Sequence, residues 1–325
     1  MSYVYIFICS FMLSLLFAHL EILFAEKSER AKQGRVSCIG GFGLYAAFLT
    51  GIVAAVFLKE IGGSKLLGII LASGLMLVLG VIDDVKDLRP SLKIAGEILG
   101  VFILMLFGVF TRISFLPLWL NILVTVLWVL FITNAFNLLD IMDGLASGLT
   151  TVISLTLLFI SFVNRDIFSS FILIALIGSH LGFLKYNYPP AKLYMGDAGS
   201  LFSGFLLAAL AINISYAPLD KPIALITPIV ALSLPVYDTL FLIIMRLKNK
   251  KPVFEKTRDH FALRLVTMGY SVKKSVWIMY VFSMFLAVSS LVIVFSSSLT
   301  AAVMLAVVIL VFILMGKRVG IVKTE

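Results

Sequence analysis

Apolar runs of about 20 residues recur along this chain, and runs of that length mean membrane-spanning helices. Eleven can be drawn, over residues 3–25, 39–58, 66–82, 94–111, 116–133, 145–163, 167–184, 200–215, 222–245, 276–296 and 298–315. The last two are nearly one run, interrupted at Ser296-Ser297-Ser298. With 61% of residues hydrophobic and 13% charged, no soluble globular class fits. The runs are continuous rather than alternating, which predicts helices and not a barrel, the other structure that satisfies its backbone in lipid. The expected fold class is all-α: a polytopic membrane bundle of eleven transmembrane helices, forming one domain over residues 1–325. The first run has no basic leader and no small-residue cleavage site, so it reads as a span rather than a signal peptide.

Charge orients the bundle. The segments 26–38, 83–93, 134–144, 185–199, 246–275 and 316–325 lie on one side and carry 21 of the 26 Lys and Arg. The other side carries Lys59, Lys65, Arg112, Arg165 and Lys221. The positive-inside rule predicts an outer N-terminus and a cytoplasmic C-terminus. It also predicts a multi-pass protein of the cell (inner) membrane. The net charge of +9 thus gathers at the cytoplasmic face, where it serves topology and can draw in a polyanionic substrate. Nucleic acid is not an expected partner, because no soluble domain is left to carry it. Cys9 and Cys38 fall at opposite ends of their spans, so no disulfide is expected.

Eight of the ten aspartates collect on the basic side: Asp83, Asp84, Asp87, Asp140, Asp143, Asp197, Asp238 and Asp259. A carboxylate costs roughly 2.5–3.5 kcal/mol at the centre of a membrane helix, so acids gathered at span ends suggest a site for a metal or a proton. The paired Asp83-Asp84 repel each other unless a cation is near, or they are a solvated helix end balanced by Lys86 and Arg89. In the segment 134–145, Asn134, Asn137 and Asp140 recur every third residue and share one helix face, followed by Asp143 and Gly144. Such a face suits a hydrogen-bonding ligand, and helix capping is the plainer reading. In the segment 185–200, Pro189-Pro190 ends a helix. Gly196 and Gly199 bracket Asp197, and Ser200 opens a new helix whose N-terminal N–H groups favour phosphate. Tyr194 offers a ring for stacking on a base. Oxygen ligands favour Mg²⁺ over zinc, and His19, His180 and His260 show no ligand spacing.

Three strings together resemble a known family. They are Asp83-Asp84 with Lys93, the Asn-x-x-Asn-x-x-Asp-x-x-Asp-Gly run at 134–144, and Pro-Ala-x-x-Tyr-Met-Gly-Asp-Ala-Gly-Ser at 190–200. Gly40-Gly41, Pro235-Val236-Tyr237-Asp238 and Arg258-Asp259-His260 match in the same order. The chain resembles the polyprenyl-phosphate N-acetylhexosamine-1-phosphate transferases, the MraY/WecA family, in its WecA-like branch. The resemblance implies Mg-dependent transfer of a sugar 1-phosphate, expected to be GlcNAc 1-phosphate, from a UDP-N-acetylhexosamine to undecaprenyl phosphate. UMP is released, and the lipid-linked sugar serves envelope glycan synthesis.

By resemblance, the catalytic set is Asp83, Asp84, Lys93, Asp140, Asp143 and His260. Asn134, Asn137, Asp143 and Tyr194 would bind nucleotide. Asp197 and Asp84 would hold Mg²⁺, with Mn²⁺ as its substitute. Direct attack and a two-step route through an aspartyl-phosphate both fit. A homodimer is also implied by resemblance alone. Ile141 stands where similar sequences have Gly, and Leu263 where they have His. The shortage of histidine favours a simpler UDP-GlcNAc-type donor over UDP-MurNAc-pentapeptide, the alternative substrate. A proton- or sodium-coupled secondary transporter is the alternative of another class, although it would place its acids near the midplane.

Overall fold

The computed structural model describes residues 1–26, 39–216, 221–248, 250 and 259–322. Of the segments expected to carry chemistry, 27–38, 249 and 251–258 lie outside the described residues, as do Cys38, Arg258 and the last three positions. All regular elements among the described residues are helical. In chain order they are α1 (Ser2–Glu26), α2 (Gly40–Phe57), α3 (Ser64–Lys86), α4 (Pro90–Leu106), α5 (Leu118–Leu139), α6 (Leu145–Val163) and α7 (Ile167–Asn187). Then follow α8 (Gly196–Asn213), a 3-10 turn (Pro222–Ile226), α9 (Thr227–Ala231), α10 (Ser233–Lys248), α11 (Phe261–Thr267), α12 (Val272–Phe295) and α13 (Ser298–Gly320).

Nine of these helices are long and apolar enough to cross a membrane, and a bent pair makes a tenth. The run expected over 94–111 forms α4 instead, 17 residues long and shifted toward the N-terminus. Pro90 suits the first helical position because its missing N–H needs no partner there. The shift matters for the site, since it puts Lys93 on a helix rather than in a loop. The run expected as one helix over 222–245 is broken. The segments Pro222–Ala231 and Ser233–Lys248 meet at 71°. Pro235 explains the break, because its ring would clash with the carbonyl four residues back, at Ala231.

Helix α8 is the centre of the first core. Every residue from Ala198 to Ala211 is buried, and α2, α3, α5 and α6 pack around it. A second core gathers α10, α11, α12 and α13. The end of α5 and the turn after it join the two, with Phe136 in the first core and Leu139 and Met142 in the second. Helix α13 keeps most of its apolar side chains outward, as lipid contact requires; Leu299, Val303 and Leu310 are more than half exposed.

Two glycines let neighbouring helices reach the start of α8. A Cβ on Gly80 of α3 would lie 2.4 Å from the Ala198 backbone nitrogen and 2.5 Å from the Asp197 carbonyl carbon. One on Gly41 of α2 would lie 2.4 Å from the Gly199 nitrogen. These contacts are with backbone and cannot be relieved by a side-chain rotation. Gly80→Ala is therefore expected to destabilise the detergent-solubilised protein by about 1–3 kcal/mol, read as a lower Tm in thermal unfolding followed by tryptophan fluorescence.

Candidate active site

Four helix ends converge around one cation. Lys93 Nζ, on the first turn of α4, lies 2.7 Å from Asp83 Oδ2 at the end of α3. It lies 3.0 Å from Asn137 Oδ1 at the end of α5 and 3.4 Å from Asp197 Oδ2 at the start of α8. Asn137 closes the ring through Nδ2, which donates to Asp197 Oδ1 at 2.6 Å and to Ser200 Oγ at 3.0 Å. The amide orientation follows from these partners, with its oxygen toward the ammonium and its nitrogen toward the carboxylate.

Local backbone geometry aims each of these groups. Helix α3 ends at Asp87, whose left-handed conformation (φ 46°) is one that Asp tolerates. The chain turns there, and Leu88 N donates to Asp83 Oδ1 at 2.7 Å. Asp83 is thereby held by backbone on one oxygen and by Lys93 on the other. Asp84 has a different place. Its Oδ1 accepts from Asp197 N at 2.9 Å and its Oδ2 from Ala198 N at 3.2 Å. A carboxylate contributed by α3 thus meets the free N–H groups and positive dipole end of α8. Gly80 and Asp84 are four residues apart on α3, so one face supplies both the close approach and the cap.

At the end of α5, Ile141 N donates to Leu139 O at 2.8 Å around Asp140, whose φ and ψ are −77° and 57°. This is an inverse γ-turn. Ile141 needs no left-handed backbone; Gly144 takes that conformation instead (φ 73°). A β-branched residue at 141 is therefore accommodated without strain. Desolvation, and then the charges of Asp197, Asp84 and Asp143, push the Asp140 carboxyl up to about 7.

The remaining candidates surround this ring. Asp143 Oδ2 accepts from Ala191 N at 2.9 Å, tying its loop to the one that leads into Asp197. Asn187, which sequence reasoning did not single out, makes a second tie. Its Oδ1 accepts from Gly144 N at 3.1 Å and its Nδ2 donates to Leu193 O at 2.9 Å. Tyr194 is about one-third exposed (36%), and its carbonyl accepts from Gly40 N at 3.0 Å. Asn134 donates through Nδ2 to Glu97 Oε2 and to Leu130 O. Glu97 is a second residue that the sequence reading passed over. Lys93 and Glu97 are one turn apart on α4, as are Asn137 and Asn134 on α5, so the pairs form two rungs. The i, i+4 spacing from Lys93 was the available signal.

His260 sits in a separate cluster. Its Nδ1 is 2.8 Å from Asp238 Oδ2, while Asp238 Oδ1 accepts from Phe261 N at 2.7 Å. Both side chains are buried. With a carboxylate as acceptor, Nδ1 carries a proton. Arg264 anchors the same segment, with Nη2 2.7 Å from Asp259 Oδ1 and Nη1 donating to Val322 O beside α13. His180 is a packed core residue, its ring nitrogens 3.0 Å from Leu176 O and 2.9 Å from Ser203 Oγ.

The donors at the ring are all oxygens apart from the Lys93 ammonium and the Asn137 amide nitrogen. Among the described residues, no three Asp, Glu, His or Cys side chains gather into a ready metal cage. Mg²⁺ does not ask for one, since it is commonly held by one or two carboxylates together with water and substrate phosphates. Asp197 fits that part: its side chain is 37% exposed, against 15% for Lys93 and 9% for Asp83.

Comparison with known proteins places the chain among transferases. Residues 66–215 match glycosyl transferase family 4. The chain is 31% identical over 264 residues to the probable undecaprenyl-phosphate N-acetylglucosaminyl 1-phosphate transferase of Bacillus subtilis, covering 78% of this chain and 72% of that protein. It is 30% identical over 311 residues to a decaprenyl-phosphate N-acetylglucosaminephosphotransferase of Mycobacterium leprae, covering 84% of this chain and 77% of that one. It is also 33% identical over 204 residues to a phospho-N-acetylmuramoyl-pentapeptide-transferase of Streptococcus pneumoniae, covering 57% and 61%. Fold and site thus define a multi-pass membrane enzyme of the phosphoglycosyl transferase class. The chain belongs to glycosyl transferase family 4.

Two outcomes follow from the ring. Lys93→Met leaves Asp83 and Asp197 facing each other without a cation. Turnover is expected to fall at least about 100-fold, as for loss of one preorganised charge-stabilising group, while Lys93→Arg retains part of it. The second concerns pH. The Asp140 carboxyl moves from 3.8 in the unfolded chain to about 7 in the folded one, so between those values the folded state holds a proton that the unfolded chain has released. Its contribution to stability is full below about pH 4 and is lost as pH rises through about 7. In EDTA, Asp140→Asn should therefore flatten the fall of Tm between about pH 5 and pH 8 relative to the unsubstituted protein.

Proposed function

We propose that this enzyme transfers GlcNAc 1-phosphate from UDP-GlcNAc to undecaprenyl phosphate at the cytoplasmic face of the cell membrane. An oxygen of the lipid phosphate attacks the β-phosphorus of the donor. The bond from that phosphorus to the bridging oxygen breaks, UMP leaves, and a polyprenyl-pyrophosphoryl sugar remains. The observation that carries this reading is the Lys93 ring at the N-terminus of α8. It sets a fixed cation, an amide and a half-open carboxylate at the end of an apolar bundle, where a soluble phosphate ester can meet a lipid one.

The residues divide the work by their surroundings. Lys93 neutralises phosphate charge as it redistributes, with no solvent reorganisation, because Asp83 and Asn137 already hold it. Asp197 supplies oxygens for Mg²⁺, which when bound would offset the charge of the pyrophosphate; Asp84, the second metal ligand that the resemblance implied, has both oxygens engaged by the backbone of α8. Asp84 keeps the turn carrying Asp197 in place through its two backbone hydrogen bonds. Asn134, Asp143 and Tyr194 flank the ring and suit the nucleotide, and His260, oriented by Asp238, suits a phosphate or the sugar. Membership of a transferase family sets aside the transporter alternative.

The test is direct. Purified protein with undecaprenyl phosphate and Mg²⁺ is expected to release UMP from UDP-GlcNAc and much less from UDP-MurNAc-pentapeptide. No UMP from any UDP-N-acetylhexosamine would refute the proposal. Asp197→Asn should reduce release to background while the protein remains folded in the membrane. Leu263→His should change donor preference; an unchanged preference would place the α11 segment away from the sugar.

A further inference from the structure

The helices that build the carboxylate ring also build a cavity at their opposite ends. Lys65 lies on the first turn of α3 and Asp83 on its last, about 27 Å apart along the helix axis. The cavity measures about 470 Å³ and is lined by the start of α3, the connection from α4 to α5, the C-terminal end of α8 and the α9 segment. That volume lies within the range of about 300–1,000 Å³ typical of ligand sites, and it is far larger than a bare phosphate needs.

Its chemistry is two-sided. Lys65 and Arg112 are among its lining residues, both exposed. Lys65 Nζ reaches Asn213 Oδ1 at 3.3 Å. The Arg112 guanidinium donates to Gly108 O at 3.3 Å and lies 4.8 Å from the centre of the Phe110 ring. Neither has a carboxylate partner among the described residues. Asp166, on an adjoining shelf with Lys65, caps α7 through Ser169 N at 3.0 Å. The inner wall is apolar, with Val124 and Trp128 of α5 facing Ile229 of α9, which is about half exposed on the outside of the bundle. Tyr216 also lines the cavity, and its buried hydroxyl has no hydrogen-bond partner among the described residues.

We propose that this cavity binds the phosphate head group of a membrane lipid in the leaflet opposite the active site. The two cations would take the phosphate and the apolar wall the first part of the chain. Basic pockets between membrane helices hold lipid head groups at the cytoplasmic face, and basic residues over an apolar wall offer a lipid phosphate the same contacts at the other face. The wall is what distinguishes a lipid from free phosphate, since a soluble anion would gain nothing from Val124, Trp128 and Ile229. The site stands independently of the reaction assigned to the other end.

Native mass spectrometry of the purified full-length protein tests it, with phosphatidylglycerol, phosphatidylcholine and inorganic phosphate as separate titrants. The tightest phosphatidylglycerol site is expected to weaken about 30-fold in the double variant Lys65→Gln, Arg112→Gln. Both residues are exposed, so an unchanged Tm in lipid-free detergent should accompany that loss. Equal phosphatidylglycerol affinity in the two proteins would overturn the proposal. So would saturation of the site by inorganic phosphate at the concentration at which the lipid saturates it, because the apolar wall would then have no part in binding.

Discussion

The hydrogen bonds from the start of α8 to the Asp84 carboxylate are the interaction on which the rest of the site depends. Helix α8 is buried from Ala198 to Ala211, and the N–H groups at its start have no partner within the helix, so an acceptor from the protein stabilises them. Asp84 supplies one from a neighbouring helix. That is possible because Gly80, a turn earlier, removes the atom that would hold the two backbones apart. With α8 seated in this way, Asp197 on its first turn is delivered to Lys93 and Asn137. Had α8 begun one residue later or earlier, Asp197 would point into another part of the bundle.

A similar logic governs charge. Asp83, Asp84, Asp140 and Asp197 crowd one helix-end cluster with Lys93 as the cation among them, and the Asp140 pKa is raised first by desolvation and then by neighbouring carboxylates. A site of this kind is poised to accept positive charge and to release it, which is what a phosphoryl-transfer centre needs as metal and polyanionic substrate come and go. The amides temper the excess without cancelling it. Asn137 bridges ammonium and carboxylate, and Asn134 gives the buried Glu97 a hydrogen-bond donor. Asn187 and Asp143 work at longer range by tying two loops together, so that the Met195–Gly199 turn is braced from α2, α3 and the end of α5.

Much of this was legible in the sequence, and the legible part follows from two strong constraints. Lipid demands long uninterrupted apolar helices, so their type could be read from run length and their number to within one or two, and α4 fell short because it stops at Leu106, just before Gly108 takes a φ of 82°. Acids are costly near lipid, so their gathering at span ends singled out Asp83 and Asp197, the three-residue spacing added Asn137, and the family resemblance added Lys93. The bend of the ninth run also had a local cause in Pro235, although run length alone concealed it.

What the sequence by itself determined was therefore the class of fold and the polar residue types that gather at the span ends, because hydropathy and charge act locally along the chain. Tertiary structure alone decided the roles. Asp83 and Asp84 are adjacent and chemically identical, yet one side chain faces Lys93 and the other caps α8, since successive helix positions differ by about 100° around the axis. Glu97 and Asn187 belong to the site only through partners 37 and 43 residues distant in sequence. His260, grouped with the catalytic residues by its motif, pairs with Asp238 in the second core. Hydrogen-bond partners of this kind are set by how helices pack, and no local pattern encodes them.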